Sequence, residues 1–215
     1  MYQESSQNDI NISFYEYYKN NGGILFKKYE IYINNTTSIF DVYWGDPNII
    51  FNQFSNEPYP LAFIKFPKWK HEPNTRIYLH KNIEINNEVA FEFILAHEIG
   101  HFCLFDIFGI NHPKGNIFLD VHDTEIWADY FAFLYFIKYR NINNLEQLKI
   151  SLLEVDNLRN NIYNIIPNDE YSFANKTKYL ELFLEKIKLF SNDDKNISLM
   201  LVTFEDILNQ IGKLI

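Results

Sequence analysis

Hydrophobic residues follow two different patterns along the chain. Four short runs in the first part, at residues 24–33, 39–44, 61–66 and 76–80, are rich in β-branched and aromatic residues, and turn-forming residues separate them. This pattern predicts four strands. The first two runs flank the pair Asn34-Asn35 and therefore predict a hairpin.

Further along the chain, apolar residues recur at helical spacing. A first helix is expected from Glu88 to Phe108, with Gly109 as its C-terminal cap. A second, from Thr124 to about Tyr139, is apolar on nearly every face and should be buried. Three more helices are predicted over residues 145–162, 173–190 and 198–214. The pattern predicts an α+β fold with a small N-terminal antiparallel or mixed sheet, in which a helical subdomain (141–215) packs on a first domain (1–140) as one structural unit.

The composition is that of a well-packed acidic protein. Of 215 residues, 47% are hydrophobic, which is ample for a core, and the net charge of −9 argues against nucleic-acid binding. Cys103 is the single cysteine, so no intrachain disulfide can form, which fits a reducing compartment. We see no secretory leader and no run long enough to span a bilayer, and expect a cytoplasmic protein that binds neither membrane nor nucleic acid.

The segment His97-Glu98-Ile99-Gly100-His101 lies within the first predicted helix. Residues four apart lie one above the other on a helix, so His97 and His101 can offer two imidazoles to one metal ion. Glu98 is one step round the helix and can act as general base toward a water that the metal activates. Zinc accepts nitrogen and carboxylate ligands and leaves one position open for water. Manganese and iron also suit such a ligand set.

A third ligand is expected at the start of the second helix. Glu125 can complete the set, and Asp129 lies four residues later on the same face. There Asp129 can accept the remaining ring N–H of a ligating histidine and fix its tautomer. His122 and Asp123 are so close to Glu125 in sequence that either is an alternative third ligand.

Small residues on both helices predict a close approach between them. Gly100 lies inside the first helix, where glycine costs about 1 kcal/mol relative to alanine, so a packing or functional reason is expected. Ala128 and Ala132 have small side chains, so the facing surface of the second helix allows close packing.

These motifs, the first running from His97 to His101 and the second reading Glu125-x-x-Ala128-Asp129-x-Phe131-Ala132, resemble the ImmA/IrrE-type metallopeptidases. That family is a branch of the zincins in which a glutamate is the third zinc ligand. The resemblance covers residues 75–137. It implies a zincin-like domain with two ligand-bearing helices, one zinc ion held by His97, His101 and Glu125, and cleavage of a protein substrate with Glu98 as catalytic base.

The resemblance also implies how a substrate is bound. In zincins the strand before the metal helix often forms the edge that pairs with an extended substrate, which would place Ile77, Tyr78 and Leu79 at the cleft. The substrate would often be a helix-turn-helix repressor or an antitoxin, here a separate protein. A further donor should stabilise the oxyanion of the transition state, and the sequence leaves five candidates: Tyr130, Tyr163, Tyr171, His112 and Arg140.

Two other functions use the same residues. The chain could be a catalytically silent metal-binding interaction module, although the presence of Glu98 beside a complete ligand set weighs against this. It could also be a prophage-encoded or toxin-type zincin that acts on a host protein, with the same chemistry and a different target.

Overall fold

The structure is a computed structural model and describes residues 24–33, 35–45, 61–66, 74–80, 83, 88–110, 121–142, 144–163, 172–190 and 195–214. The oxyanion candidates His112 and Tyr171 lie outside the described residues, and so does Asn34 of the predicted turn. The side chains of Tyr163 and His122 are likewise not described.

Four strands form one mixed sheet: β1 (Ile24–Ile33), β2 (Thr36–Gly45), β3 (Ala62–Lys65) and β4 (Thr75–His80), in the order β1-β2-β4-β3. β1 and β2 form the predicted antiparallel hairpin. Asn35, at its turn, adopts the left-handed conformation (φ 62°) that asparagine tolerates better than most residues. β2 pairs with β4 in parallel, and β4 pairs with β3 antiparallel.

The prediction that Ile77, Tyr78 and Leu79 form a substrate-binding edge strand is wrong. They lie in β4, which is paired with β2 on one side and with β3 on the other, so both of its backbone edges already serve the sheet. All three side chains are buried. The edge next to β4 in the described sheet is β3. The prediction chose β4 because, in zincins, the strand directly before the metal helix often forms the edge.

The described residues contain five α-helices. They are α1 (Glu88–Phe102), α2 (Val121–Arg140), α3 (Leu145–Tyr163), α4 (Phe173–Phe190) and α5 (Lys195–Ile211). All five were predicted, but α1 changes into a π-helical turn at Cys103–Ile107, and α2 begins three residues earlier than expected. Gly109, at φ 66°, ends this helical segment in the left-handed conformation, as predicted.

Helix α1 is the centre of the packing. It contacts β3 and β4 on one side and α2 and α3 on the other, which is why twelve of its fifteen residues are buried. Phe102 packs on Phe40 of the sheet, and Phe93 packs on Phe173 at the start of α4. A helix enclosed on all sides is also apolar on all sides, so its few polar residues must find partners inside the protein.

The coarse architecture is therefore α+β, with a four-stranded sheet and five helices in the described residues. Helices α3 and α4 pack on each other, and α5 contacts both β1 and α2. The division at residue 140 into two parts stays a prediction. Among the described helices, none has the length and apolar character needed to cross a bilayer. The cytoplasmic location also stays a prediction.

Candidate metal centre

Helices α1 and α2 approach closely at Gly100. A Cβ atom at this position would lie 2.8 Å from the Cα atom and 3.1 Å from the carbonyl oxygen of Ala128. Backbone atoms cannot move aside as a flexible side chain can, so only glycine allows this approach. The predicted packing role of Gly100 and Ala128 is confirmed, and the contact brings the two potential ligand-bearing faces together.

Three potential ligand groups, the side chains of His97, His101 and Glu125, converge between these helices. Nε2 of His97 lies 3.1 Å from Nε2 of His101 and 3.4 Å from Oε2 of Glu125. The other carboxylate oxygen of Glu125, Oε1, lies 3.2 Å from Nε2 of His101. A tetrahedral zinc ion with bonds of about 2.0–2.1 Å holds its ligand atoms roughly 3.3 Å apart. The separations fit one small cation, and this group could hold a metal ion.

Asp129 orients the first of these ligands. Its Oδ1 lies 2.8 Å from Nδ1 of His97, and both side chains are buried. A carboxylate only accepts hydrogen bonds, so Nδ1 of His97 is the donor. This leaves Nε2 as the atom that faces His101 and Glu125. Asp129 therefore stands where the sequence predicted a partner for a ligating histidine.

The carboxylates also control the charge of the group. Burial lowers the pKa of His97, but the hydrogen bonds with Asp129 and Glu125 outweigh it and raise that pKa to about 10. Burial likewise raises the pKa of Glu125, whereas its hydrogen bonds with His101 and His97 hold that pKa well below its usual range. Glu125 is thus charged, and a cation that binds at Nε2 of His97 displaces a proton.

Glu98 lies on the wall of a pocket that also exposes His97 and Glu125. Only 8% of the Glu98 residue is accessible to solvent. Glu98 directly follows His97 in α1, and its side chain lines the same pocket as His97 and Glu125, as the spacing predicted. The same pocket is lined by Leu61 and Ala62 at the start of β3.

Of the two alternatives to Glu125, Asp123 is exposed in the first turn of α2 and is absent from the group of converging ligand atoms in the described residues. Helix α2 begins at Val121, so His122 belongs to the same turn. The described side chains therefore favour Glu125 over Asp123.

Two of the oxyanion candidates have structural roles. Tyr130 packs between Trp127 and Phe183 and does not line the pocket. Arg140, at the far end of α2, forms ion pairs with Glu88 and Glu92. Both residues were proposed from residue type alone, without knowledge of where helix α2 runs relative to the site.

Sequence reasoning missed two cations in the pocket, Arg159 of α3 and Lys176 of α4. Arg159 continues the apolar series of Leu148, Leu152 and Val155, so a charged residue occupies a buried position of an amphipathic helix. An arginine at an apolar position of the helix could have indicated a polar site, because a buried charge needs partners inside the protein. For Lys176 no such signal exists in the sequence.

Comparisons of the chain with family models, with curated proteins and with solved structures find no match. What the group of His97, His101 and Glu125 does is therefore inferred from its own chemistry.

Proposed function

We propose that the protein is a zinc-dependent endopeptidase with a zincin-like catalytic domain. The observation that carries the proposal is the convergence of two imidazole nitrogens and a carboxylate, 3.1–3.4 Å apart, beside a buried glutamate. Two imidazoles and one carboxylate form a ligand set that catalytic zinc sites use, with one position open. Asp129, hydrogen-bonded to His97, supplies the outer partner that such sites use to orient a ligand.

A bound zinc ion would supply Lewis acidity, which polarises the scissile carbonyl and lowers the pKa of a water molecule toward neutrality. The carboxylate of Glu98 would accept the proton of the attacking water and then deliver it to the leaving amine. The low exposure of Glu98 fits this role, because a buried carboxylate keeps its proton within the site between the two steps. Glu98 is thus proposed as the catalytic base, and His97, His101 and Glu125 as the metal ligands.

Strand β3 is the proposed docking edge for an extended substrate. It is the edge next to β4 in the described sheet, and its start, at Leu61 and Ala62, lines the same pocket as Glu98. An extended peptide can add to such an edge through main-chain hydrogen bonds. This assignment replaces β4. A repressor or antitoxin as the substrate remains a proposal that rests on the resemblance of the two motifs to ImmA/IrrE-type metallopeptidases.

The first experiment measures metal content by mass spectrometry in protein purified without a metal-affinity tag. Wild type should hold one equivalent of zinc and Glu125→Ala much less, whereas the control Glu205→Ala, exposed on α5, should match wild type. Zinc absent from wild type even after it is added back would overturn the proposal. Equal zinc in Glu125→Ala and wild type would move the third ligand to His122 or Asp123.

The second experiment tests catalysis with labelled, unfolded casein as a general protein substrate. Zinc-loaded wild type should cleave it and Glu98→Gln should not, although both bind zinc. A wild-type protein that holds zinc but cleaves neither casein nor any protein that it captures would favour the silent interaction module instead.

A further inference from the structure

The pocket beside the proposed metal centre has two kinds of wall. Apolar side chains line part of it, among them Ala62 of β3, Ile94 of α1 and Phe173 of α4. Charged side chains line the rest, and these include both Arg159 and Lys176. Apolar surroundings lower the effective dielectric, so the charges act more strongly on a group that enters the pocket than they would in water.

Arg159 is held in the pocket by its surroundings. It is 3% exposed, and its guanidinium carbon lies 4.4 Å from the centre of the Phe173 ring, a cation–π contact. Phe173 is itself fixed, because Asp156 of α3 accepts hydrogen bonds from the backbone N–H groups of Phe173 and Ala174 at 2.7 and 3.1 Å. The cation is thus placed by packing between α3 and the first turn of α4.

Lys176 brings a second positive charge to the same ring. Its Nζ atom lies 4.9 Å from the centre of Phe173 and 3.6 Å from Oε2 of Glu125. When Glu125 holds a metal ion, part of its negative charge is neutralised by that ion. The attraction that Glu125 exerts on Lys176 then weakens, and the ammonium group can interact with another anion.

Arg159 and Lys176 are the two lysine or arginine side chains among the described residues that line this pocket, and they lie there together with His97, Glu98 and Glu125. Arginine is well suited to bind a carboxylate through two parallel hydrogen bonds, and lysine adds a point charge.

We propose that Arg159 and Lys176 form a carboxylate-binding subsite next to the metal centre. The preferred substrate then carries a carboxylate beside the scissile bond. An acidic side chain there fits the proposed endopeptidase, whereas a free C-terminus there would make the enzyme a carboxypeptidase. This inference rests on the proposed peptidase function and adds the class of substrate to it. Arg159 and Lys176 are specificity-determining residues here, while Glu98 remains the base.

The test uses succinyl-hydroxamate peptide probes, whose hydroxamate binds the metal, and measures their affinity for the zinc-loaded full-length chain by calorimetry. One pair of probes differs only by Glu against Gln in the residue after the hydroxamate unit. A second pair differs only by a free carboxylate against a carboxamide at the C-terminus. A hydrogen-bonded charge should favour the acidic member of one pair by about tenfold or more, and the pair that discriminates identifies the source of the carboxylate.

Variants assign the preference to the two cations. Arg159→Gln should abolish the preference while the neutral probe binds as before and the zinc content is unchanged, and Arg159→Lys should retain part of it. Because Arg159 is buried, Lys176→Gln serves as a second variant that does not disturb the core, and it should weaken the preference. Lys178→Gln is the matched control, since Lys178 lies on the same helix and is exposed.

The outcomes distinguish failure of the carboxylate subsite from failure of the proposed peptidase function. If wild type holds zinc and binds all four probes, but neither pair discriminates, the carboxylate subsite is overturned and the metal centre stands. A preference that survives in both Arg159→Gln and Lys176→Gln also overturns the assignment. If wild type holds no zinc and binds no probe, the peptidase function itself fails, and the subsite with it.

Discussion

Helices α1 and α2 hold two polar clusters between them, and the two differ in how their polar atoms face one another. In the candidate metal centre, formed by His97, His101, Glu125 and Asp129, three potential ligand groups converge on one point. In the second cluster, which we call the Glu92 cluster, Glu92 accepts hydrogen bonds from Tyr135 (2.9 Å) and from Arg140, and the Tyr135 hydroxyl accepts one from the backbone N–H of Leu214 (3.0 Å).

The two clusters show how a group of potential metal ligands differs from a structural polar cluster. In the Glu92 cluster each acceptor faces a donor, so burial is balanced by hydrogen bonds within the protein. Burial raises the pKa of Tyr135, and its hydroxyl donates a hydrogen bond to Glu92. In the candidate metal centre the carboxylate of Glu125 faces both imidazoles, and the three groups converge so closely that one cation can replace the protons between them. The four predictions that follow test this difference.

The largest effect is expected for catalysis at the metal centre. Glu98→Gln removes the proposed general base and should lower the rate of peptide cleavage by about 10²–10⁴-fold, with zinc content and melting temperature close to wild type. Cleavage is measured by single-turnover kinetics with labelled casein. Glu154→Gln, the same change at an exposed position of α3, is the control. Full cleavage by Glu98→Gln would remove the base from the mechanism.

The Glu92 cluster should respond in stability and not in metal binding. Arg140→Met leaves the carboxylate of Glu92, which is 2% exposed, without its cation, and should lower the free energy of unfolding by about 3 kcal/mol. Urea unfolding of metal-free protein measures this change, and zinc content should match wild type. If Arg140→Met instead loses zinc at unchanged stability, the division between the two clusters does not hold.

Asp129→Asn tests the contact that orients His97. The amide can no longer stabilise the imidazole as a carboxylate does, so zinc affinity should fall by about 10–100-fold. Competition with a coloured chelator measures the affinity. Asp206→Asn, an exposed position on α5, should behave as wild type. Unchanged affinity in Asp129→Asn would mean that Asp129 only stabilises the fold.

Gly100→Ala tests the helix contact that underlies the metal centre. Alanine is favoured over glycine in a helix by about 1 kcal/mol, but overpacking against the backbone of Ala128 typically costs 1–3 kcal/mol, so a net loss of about 1 kcal/mol is expected. Moving α1 away from α2 should also weaken zinc binding. Thermal unfolding and chelator competition measure both effects. A variant that is more stable than wild type and binds zinc equally well would show that the close approach is not required.

Local patterns were sufficient for most of the secondary structure. The four strands and five helices lie close to the predicted positions, because turn residues and hydrophobic period act over short stretches of chain. The π-helical turn at Cys103–Ile107 and the early start of α2 at Val121 were missed. Both concern the ends of helices, where packing against neighbouring elements overrides local preference.

The residues of the candidate metal centre could also be predicted from the sequence, because spacing along a helix fixes which side chains share a face. His97 and His101 are one helical turn apart, as are Glu125 and Asp129, so each pair was predictable within its own helix. That the two pairs meet depends on the contact of Gly100 with Ala128. The small size of these residues hinted at that contact.

The sequence by itself determined the secondary-structure elements and the candidate ligand residues, since these depend on residues close together in the chain. Only the tertiary structure decided that β3 and not β4 is the edge beside the pocket, because strand order depends on contacts between distant segments. It also decided that Arg159 and Lys176 face the metal centre. Their side chains come from separate helices and meet at Phe173, which no periodicity within one helix can specify.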